Sequence, residues 1–326
     1  MMTKRFNSEK PGNNNKRREF IRQISALAVS LPLLSFDSDG GEKKTYPTRV
    51  LGRTGERVSI LTLGGFHVGA SFVTDDDAIE IIRSSIDQGV NFMDNAWSYQ
   101  NGRSQTIMGR ALKNGYRKRV LLMTKLMART VEDAKIQLET SLKRFDLDQI
   151  DLMQFHAIGY KDGDVDAIYK NGLIDWAISQ RDQKVIKYIG FTGHSDPAAH
   201  MDMINRGYEW DTVQMPLNIG DYHRELSFEK HVLPLAIEKN IGVIGMKSNG
   251  MGRLGNSKIA TPIEGLRYTM SLPVSTVASG IDSLNILAEN LELFHHFKSY
   301  TENEKAELLA RSSGKSEIIE HYRKNK

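Results

Sequence analysis

From Arg49 onward, short apolar runs alternate with longer stretches in which apolar residues recur every three or four positions. The short runs, at 61–64, 91–94, 120–124, 150–155, 188–192, 212–215, 242–246 and 275–279, have the length and composition of buried β-strands. The longer ones, at 75–88, 104–114, 131–145, 172–182, 197–206, 227–239, 262–271 and 283–297, read as amphipathic helices. Eight βα units in succession predict an α/β fold, a closed (β/α)8 barrel, because an open doubly wound sheet rarely carries so many strands. Helix starts carry matching chemistry: Thr74 precedes three aspartates, Thr130 precedes Glu132 and Asp133, and Ser283 precedes Leu284. Ahead of the first barrel strand, residues 49–60 predict a β-hairpin turning at Thr54-Gly55 that plugs the bottom of the barrel.

The first 38 residues stand apart. Lys16-Arg17-Arg18 is followed by a short apolar segment, 24–34, interrupted by Ser25, Ser30 and Pro32. It resembles a twin-arginine export signal, with a basic region, a modest apolar region and small residues after it. That implies passage through the twin-arginine (Tat) translocase and a periplasmic destination. Residues 1–38 are therefore expected to be a signal peptide and disordered N-terminus, 48–297 the barrel, and 298–326 a charged helical tail. The apolar segment falls short of the roughly 18 residues a membrane-spanning helix needs, so no stable membrane anchor is expected.

Charge supports this division. Of 44 Lys/Arg and 40 Asp/Glu, the first 38 residues hold seven and three, which is the whole excess of +4. The remainder is formally neutral, so the pI of 9.0 is no sign of a nucleic-acid partner. With no cysteine, thiolate metal sites, disulfides and Cys nucleophiles are excluded.

Candidate chemistry gathers at three successive strand ends: Asp94 and Tyr99, then Lys125 in MTKL, then His156 in QFHA. In a barrel these ends empty onto one rim. A carbonyl receiving hydride at carbon needs a proton at oxygen, and a tyrosine can donate it. A lysine ammonium beside Tyr99 would lower its pKa, and Asp94 would keep that lysine charged. His156 would orient the carbonyl. A different reading has His67, His156, His194 and Asp94 converge on a metal, but a strand-one HxH pair is missing and Asp94 already has a partner in Lys125, so no metal is expected.

The run FMDNAWSYQNGRSQTIMGRAL at 92–112, with Lys125, His156 and the close of the eighth unit at Glu289-Asn290, resembles the aldo-keto reductase family across residues 48–297. The resemblance implies that Asp94, Tyr99, Lys125 and His156 form a catalytic tetrad acting on a small carbonyl or sugar substrate with NADP or NAD. It places cofactor contacts at Gly64, Gly65 and Phe66; at Thr192, Gly193 and His194; at Gln214; at Met246, Lys247 and Ser248; and at Ser279, Gly280, Asp282, Ser283, Glu289 and Asn290. Three positions depart from the family pattern: Gly193 stands where an Asn is common, Met246 where an aromatic ring is common, and Asp282 near the expected 2′-phosphate. Family habit favours NADP, whereas a carboxylate at 282 suits a ribose diol and NAD. Trp97, Tyr160, Tyr222 and His223 are candidate pocket residues, and the Asp-rich loop 157–171 argues against an anionic substrate. A non-catalytic nucleotide-binding or sensing protein of the same fold is the alternative. Export would remove the enzyme from its supply of reduced nucleotide unless the cofactor is bound tightly and travels with it.

Overall fold

The computed structural model describes residues 46–315. Residues 1–38, the expected export signal, lie outside these, as does the end of the expected tail. Two antiparallel strands come first, β1 (Thr48–Val50) and β2 (Arg57–Ser59), joined by a tight turn in which Gly55 is left-handed. Eight parallel strands follow: β3 (Leu61–Gly64), β4 (Phe92–Asp94), β5 (Leu121–Leu126), β6 (Ile150–Phe155), β7 (Ile186–Thr192), β8 (Thr212–Pro216), β9 (Gly242–Met246) and β10 (Thr276–Gly280). Because β10 pairs with both β9 and β3, the sheet closes into the expected (β/α)8 barrel.

The helices are α1 (Gly65–Val68), α2 (Asp75–Asp87), α3 (Arg103–Ala111), α4 (Val131–Phe145), α5 (Asp164–Lys170), α6 (Leu173–Asp182), α7 (Pro197–Asn205), α8 (Leu233–Glu238), α9 (Arg253–Asn256), α10 (Pro262–Ser271), α11 (Leu284–His295) and α12 (Glu302–Ser312). Thr74, Thr130 and Ser283 cap α2, α4 and α11, each accepting the backbone N–H three residues on. These caps satisfy donors that the first helical turn leaves unpaired.

The two-residue period of a strand sorts the barrel interior into layers. At the bottom, Phe92, Met123, Leu152 and Ile244 pack with Leu51 and Val58 of the hairpin. Two residues further along β4, β5 and β6 the same inward face carries Asp94, Lys125 and Gln154. The interior therefore changes from apolar at the plugged end to polar at the open end.

Some elements differ from the sequence reading. The loop 157–171 contains α5, and two of its three acids are paired: Asp164 with Arg129 at 2.9 Å, and Asp166 with Lys170 at 2.8 Å and with Arg206. The helix expected at 227–239 begins as a π-turn, Phe228–Val232, before α8, since Pro234 cannot supply the N–H of a continuous α-helix. The tail carries α12, which opens with a capping box between Thr301 and Glu304.

Leu51 is fully buried and packs against Gly242 at the base of β9. Leu51→Ala is expected to lower stability by about 2–5 kcal/mol in urea unfolding. A loss under about 1 kcal/mol would mean that the hairpin does not seal the barrel.

Candidate active site

Asp94 ends β4, Lys125 sits one residue before the end of β5, and His156 follows β6 directly. Tyr99 lies five residues past Asp94, just before a turn in which Gln100, Asn101 and Gly102 are all left-handed, with φ of 49°, 53° and 93°. For the two non-glycine residues this conformation costs roughly 1–2 kcal/mol each. The turn is tied down by Gln100, whose Nε2 donates to the Phe66 carbonyl at 3.1 Å, and by the entry into α3.

Lys125 is 1% exposed. Its ammonium donates to Asp94 Oδ1, to the Asn95 carbonyl at 3.0 Å and to the Tyr99 hydroxyl at 2.9 Å. An ammonium has three protons, so all are used. The second carboxylate oxygen of Asp94 accepts from Gln214 Nε2 at 2.8 Å, which ties β8 to the same cluster. The His156 ring stands edge-on to the Tyr99 ring with centroids 6.0 Å apart. His156 is held from behind by Arg129, which donates to its carbonyl at 2.8 Å.

Burial governs the protonation states. It pushes the Tyr99 phenol above its ordinary value, and Lys125 only partly offsets this. Lys125 does pull the tyrosine pKa down, as expected, but desolvation of the phenolate, with the Asp94 charge adding to it, outweighs that one cation and leaves the net shift upward. Burial also opposes the Lys125 charge, but Asp94 and Tyr99 overcome it and raise its pKa. His156 and His194 are both held well below the ordinary histidine range by burial, with Lys125 and Lys247 adding to the effect. Lys247 itself is brought down to about 8 by burial.

A profile of the Aldo/keto reductase family matches residues 60–265. The chain belongs to the aldo/keto reductase family. It is 32% identical over 202 residues to aldo-keto reductase YhdN of Bacillus subtilis, a match covering 58% of this chain and 57% of that one. It is 28% identical over 218 residues to the L-galactose dehydrogenase of Arabidopsis thaliana, covering 63% and 66%. The matched regions thus span little more than half to two thirds of these relatives. Among solved structures, the holo form of an aldo-keto reductase from Bacillus halodurans shares the fold, with a TM-score of 0.70 at 20% identity over 84% of this chain and 100% of that one.

For this member of the aldo/keto reductase family, buried polar atoms without partners test whether a nicotinamide fits. Thr192 Oγ1 and Gln214 Oε1 are buried and unbonded. Thr192 ends β7 and Gln214 lies within β8, pairing with it across the sheet, and the carboxamide expected there carries amide protons that would satisfy both. The nicotinamide side therefore fits. Met246, at the end of β9, is buried, and Phe66 is half-exposed. On the adenosine side, Ser283 caps α11, whose first N–H groups form an anion-binding end. Asp282 is partly buried and acts electrostatically on His67. Asn290 is committed to the protein, donating to Ser279 Oγ at 2.9 Å, while Glu289 is exposed. Ser248 is buried, and Lys247 is left-handed with φ of 55°.

The glycines at the first strand end do more than admit a ligand. A Cβ on Gly64 would lie 2.6 Å from the Ser279 carbonyl, and one on Gly65 would strike the Asp94 carbonyl and the Asn95 side chain. They let β3 approach its neighbours, and Gly280 makes room for the His67 ring.

The pocket candidates divide. Tyr160 is half-exposed in the loop after β6. Trp97 is turned toward Arg144, whose guanidinium lies 5.8 Å from its ring. Tyr222 and His223 are engaged elsewhere: His223 Nε2 bonds the Leu309 carbonyl at 2.8 Å and Ser312 Oγ at 3.1 Å on α12, and Lys230 lies over Tyr222. Sequence reading missed Asn95 and Arg129, since both act on backbone carbonyls or as one, which side-chain identity does not reveal. Among the described residues no group of three or more His, Cys, Asp or Glu is arranged to hold a metal.

Asp94→Asn is expected to cost about 3–5 kcal/mol of stability by leaving the buried Lys125 charge short of its carboxylate. Lys125 has its pKa raised above 10.5 in the fold, so its contribution is fully present below the unfolded value and lost only above it. The difference between wild type and variant, measured by denaturation, should therefore stay constant from about pH 6 to about pH 9.

Proposed function

We propose that this protein is an NAD(P)-dependent oxidoreductase that moves hydride between a nicotinamide and the carbonyl or alcohol carbon of a small substrate, with Tyr99 exchanging the proton at oxygen. The observation that carries this reading is the buried chain Asp94–Lys125–Tyr99, in which Lys125 Nζ lies 2.9 Å from the tyrosine hydroxyl. The bound cofactor would supply the hydride; everything else falls to the protein. Thr192 and Gln214 would hold the carboxamide. His156, neutral in its buried setting, would donate a hydrogen bond to the substrate oxygen and orient it. Tyr99 is protonated at neutral pH, so it is ready to donate a proton in the reducing direction. In the oxidising direction the Lys125 ammonium would stabilise the phenolate as it forms.

Tyr99→Phe is expected to lower kcat by about 10²–10⁴ while nucleotide affinity, followed by cofactor fluorescence, is retained. In wild type, kcat/KM for reduction should hold steady through neutral pH and fall only above about pH 10, since the tyrosine pKa is raised from 10.0. Equal turnover of carbonyls by wild type and Tyr99→Phe would sink the role given to Tyr99, and no turnover by either would leave a binding or sensing role.

Residues 16–34 support export through the Tat translocase to the periplasm. That route carries folded proteins, so a cofactor bound beforehand would travel with the chain. Nucleotide released by denaturing the exported protein, read by mass spectrometry, should be present near one per chain and would show whether it is NADP or NAD. Exported protein without nucleotide would overturn the idea of a resident cofactor.

A further inference from the structure

Arg129 lies just beyond the end of β5, immediately before the Thr130 cap of α4. Its guanidinium carries five N–H groups, and every one is used. Nε donates to Asp164 Oδ1 at 2.9 Å, Nη1 to the Met127 and Ala128 carbonyls at 3.1 and 3.0 Å, and Nη2 to the His156 and Ala157 carbonyls at 2.8 and 3.3 Å. One planar group thus fastens together the loop after β5, the loop after β6 and the start of α5. The clamp is itself held: Asn171 Nδ2 donates to the Arg129 carbonyl at 2.9 Å, and Asp164 Oδ2 accepts the Lys161 N–H at 2.7 Å.

The backbone that Arg129 grips is unusual. Ala157 is left-handed, with φ of 59°, a conformation its β-carbon disfavours. With that residue so turned, the His156 and Ala157 carbonyls both accept from one guanidinium nitrogen. On its other side the His156 N–H donates to the Leu126 carbonyl at 2.8 Å, so both backbone polar groups of His156 are tied. Its ring leaves the chain from a fixed point and stands edge-on to Tyr99, with centroids 6.0 Å apart.

Resting on the oxidoreductase reading above, we propose that Arg129 is a positioning residue for the reaction: by fixing the backbone at His156 and Ala157 it aims the His156 ring at the substrate oxygen beside Tyr99. All five of its donors are taken inside the protein, so none is left for a substrate anion. Its effect passes through His156.

The charge of Arg129 acts on the same ring. Burial holds His156 well below the ordinary histidine range, and Lys125, Arg129 and Lys247 add to this. Facing the ring are Tyr99 from the loop after β4, Lys125 on β5, Arg129 beyond it, His194 beyond β7 and Lys247 beyond β9; no carboxylate is among them. Position and charge can be separated, because a lysine keeps the charge but not the fork. An ammonium has three protons on one nitrogen and cannot reach five acceptors on three segments. The plainer alternative, that Arg129 only staples loops, predicts lost stability with unchanged turnover per folded molecule.

The test compares wild type, Arg129→Lys and Arg129→Ala, each loaded with nucleotide and corrected for its folded fraction by circular dichroism. With the best substrate from a panel of small aldehydes and ketones, kcat is expected to fall about tenfold in Arg129→Lys and about 10²-fold in Arg129→Ala, with nucleotide affinity kept within about twofold. The His156 imidazole, titrated by NMR in nucleotide-free protein, should protonate at higher pH in Arg129→Ala than in wild type, and near the wild-type pH in Arg129→Lys. Should Arg129→Ala not fold, Arg129→Gln takes its place in both measurements. Turnover per folded molecule unchanged in both variants would overturn the inference and leave the oxidoreductase intact. If wild type reduces nothing in the panel, the reaction reading has failed instead, and the titration decides for Arg129: a His156 titration that does not move when the guanidinium is removed rejects its hold on that ring.

Discussion

Inside the barrel a single buried ammonium dictates the arrangement of the open end. A lysine charge taken out of water costs several kcal/mol unless each of its protons finds a partner. Lys125 finds a carboxylate oxygen of Asp94, the carbonyl of Asn95 and the hydroxyl of Tyr99. The third of these bonds positions the phenol, and the left-handed turn that follows is the local cost of bringing Tyr99 back over Lys125. Gln214 extends the cluster to β8 through the other oxygen of Asp94. One requirement, satisfying a buried cation, thus ties three strands and one loop to the same point.

The layering of the interior makes this arrangement tolerable. The hairpin and the lower residues of β4, β5, β6 and β9 form an apolar plug around Leu51 and Val58, which shields the charged layer from water on that side. Stability is concentrated at the closed end and chemistry at the open one, as in barrels generally. The same dryness raises the tyrosine pKa, keeps Lys125 charged only because Asp94 is present, and neutralises the two histidines.

One departure from the family pattern acquires a cause at the level of packing, and the end of β9 adds a charge. Gly193 is set by the approach of Ile158 and His200, which leaves His194 as the reaching side chain. Lys247, left-handed after β9, contributes positive charge that acts on His67, His156 and His194 together. Around this polar floor Phe66, Phe72, Met127, Tyr160 and Met251 are exposed in the segments that follow four of the strands.

By itself, the order of apolar runs determined the barrel, its hairpin and most helix starts, because a period of two or of 3.6 and a capping hydroxyl are local properties of the chain. The spacing of Asp94, Tyr99, Lys125 and His156 also marked one rim, since each follows from its distance to a strand end. Only the tertiary structure decided what those residues are like. Lys125 lowers the phenol pKa, but whether the net value ends above or below the ordinary one depends on the water excluded around both groups, and that is a sum over the whole barrel. The bond that ties His223 to α12, distant in sequence, is likewise supplied only by the closed fold. Side-chain identity and spacing are written along the chain. Solvation, and the partners that a backbone carbonyl or a distant helix supplies, exist only once the chain has closed.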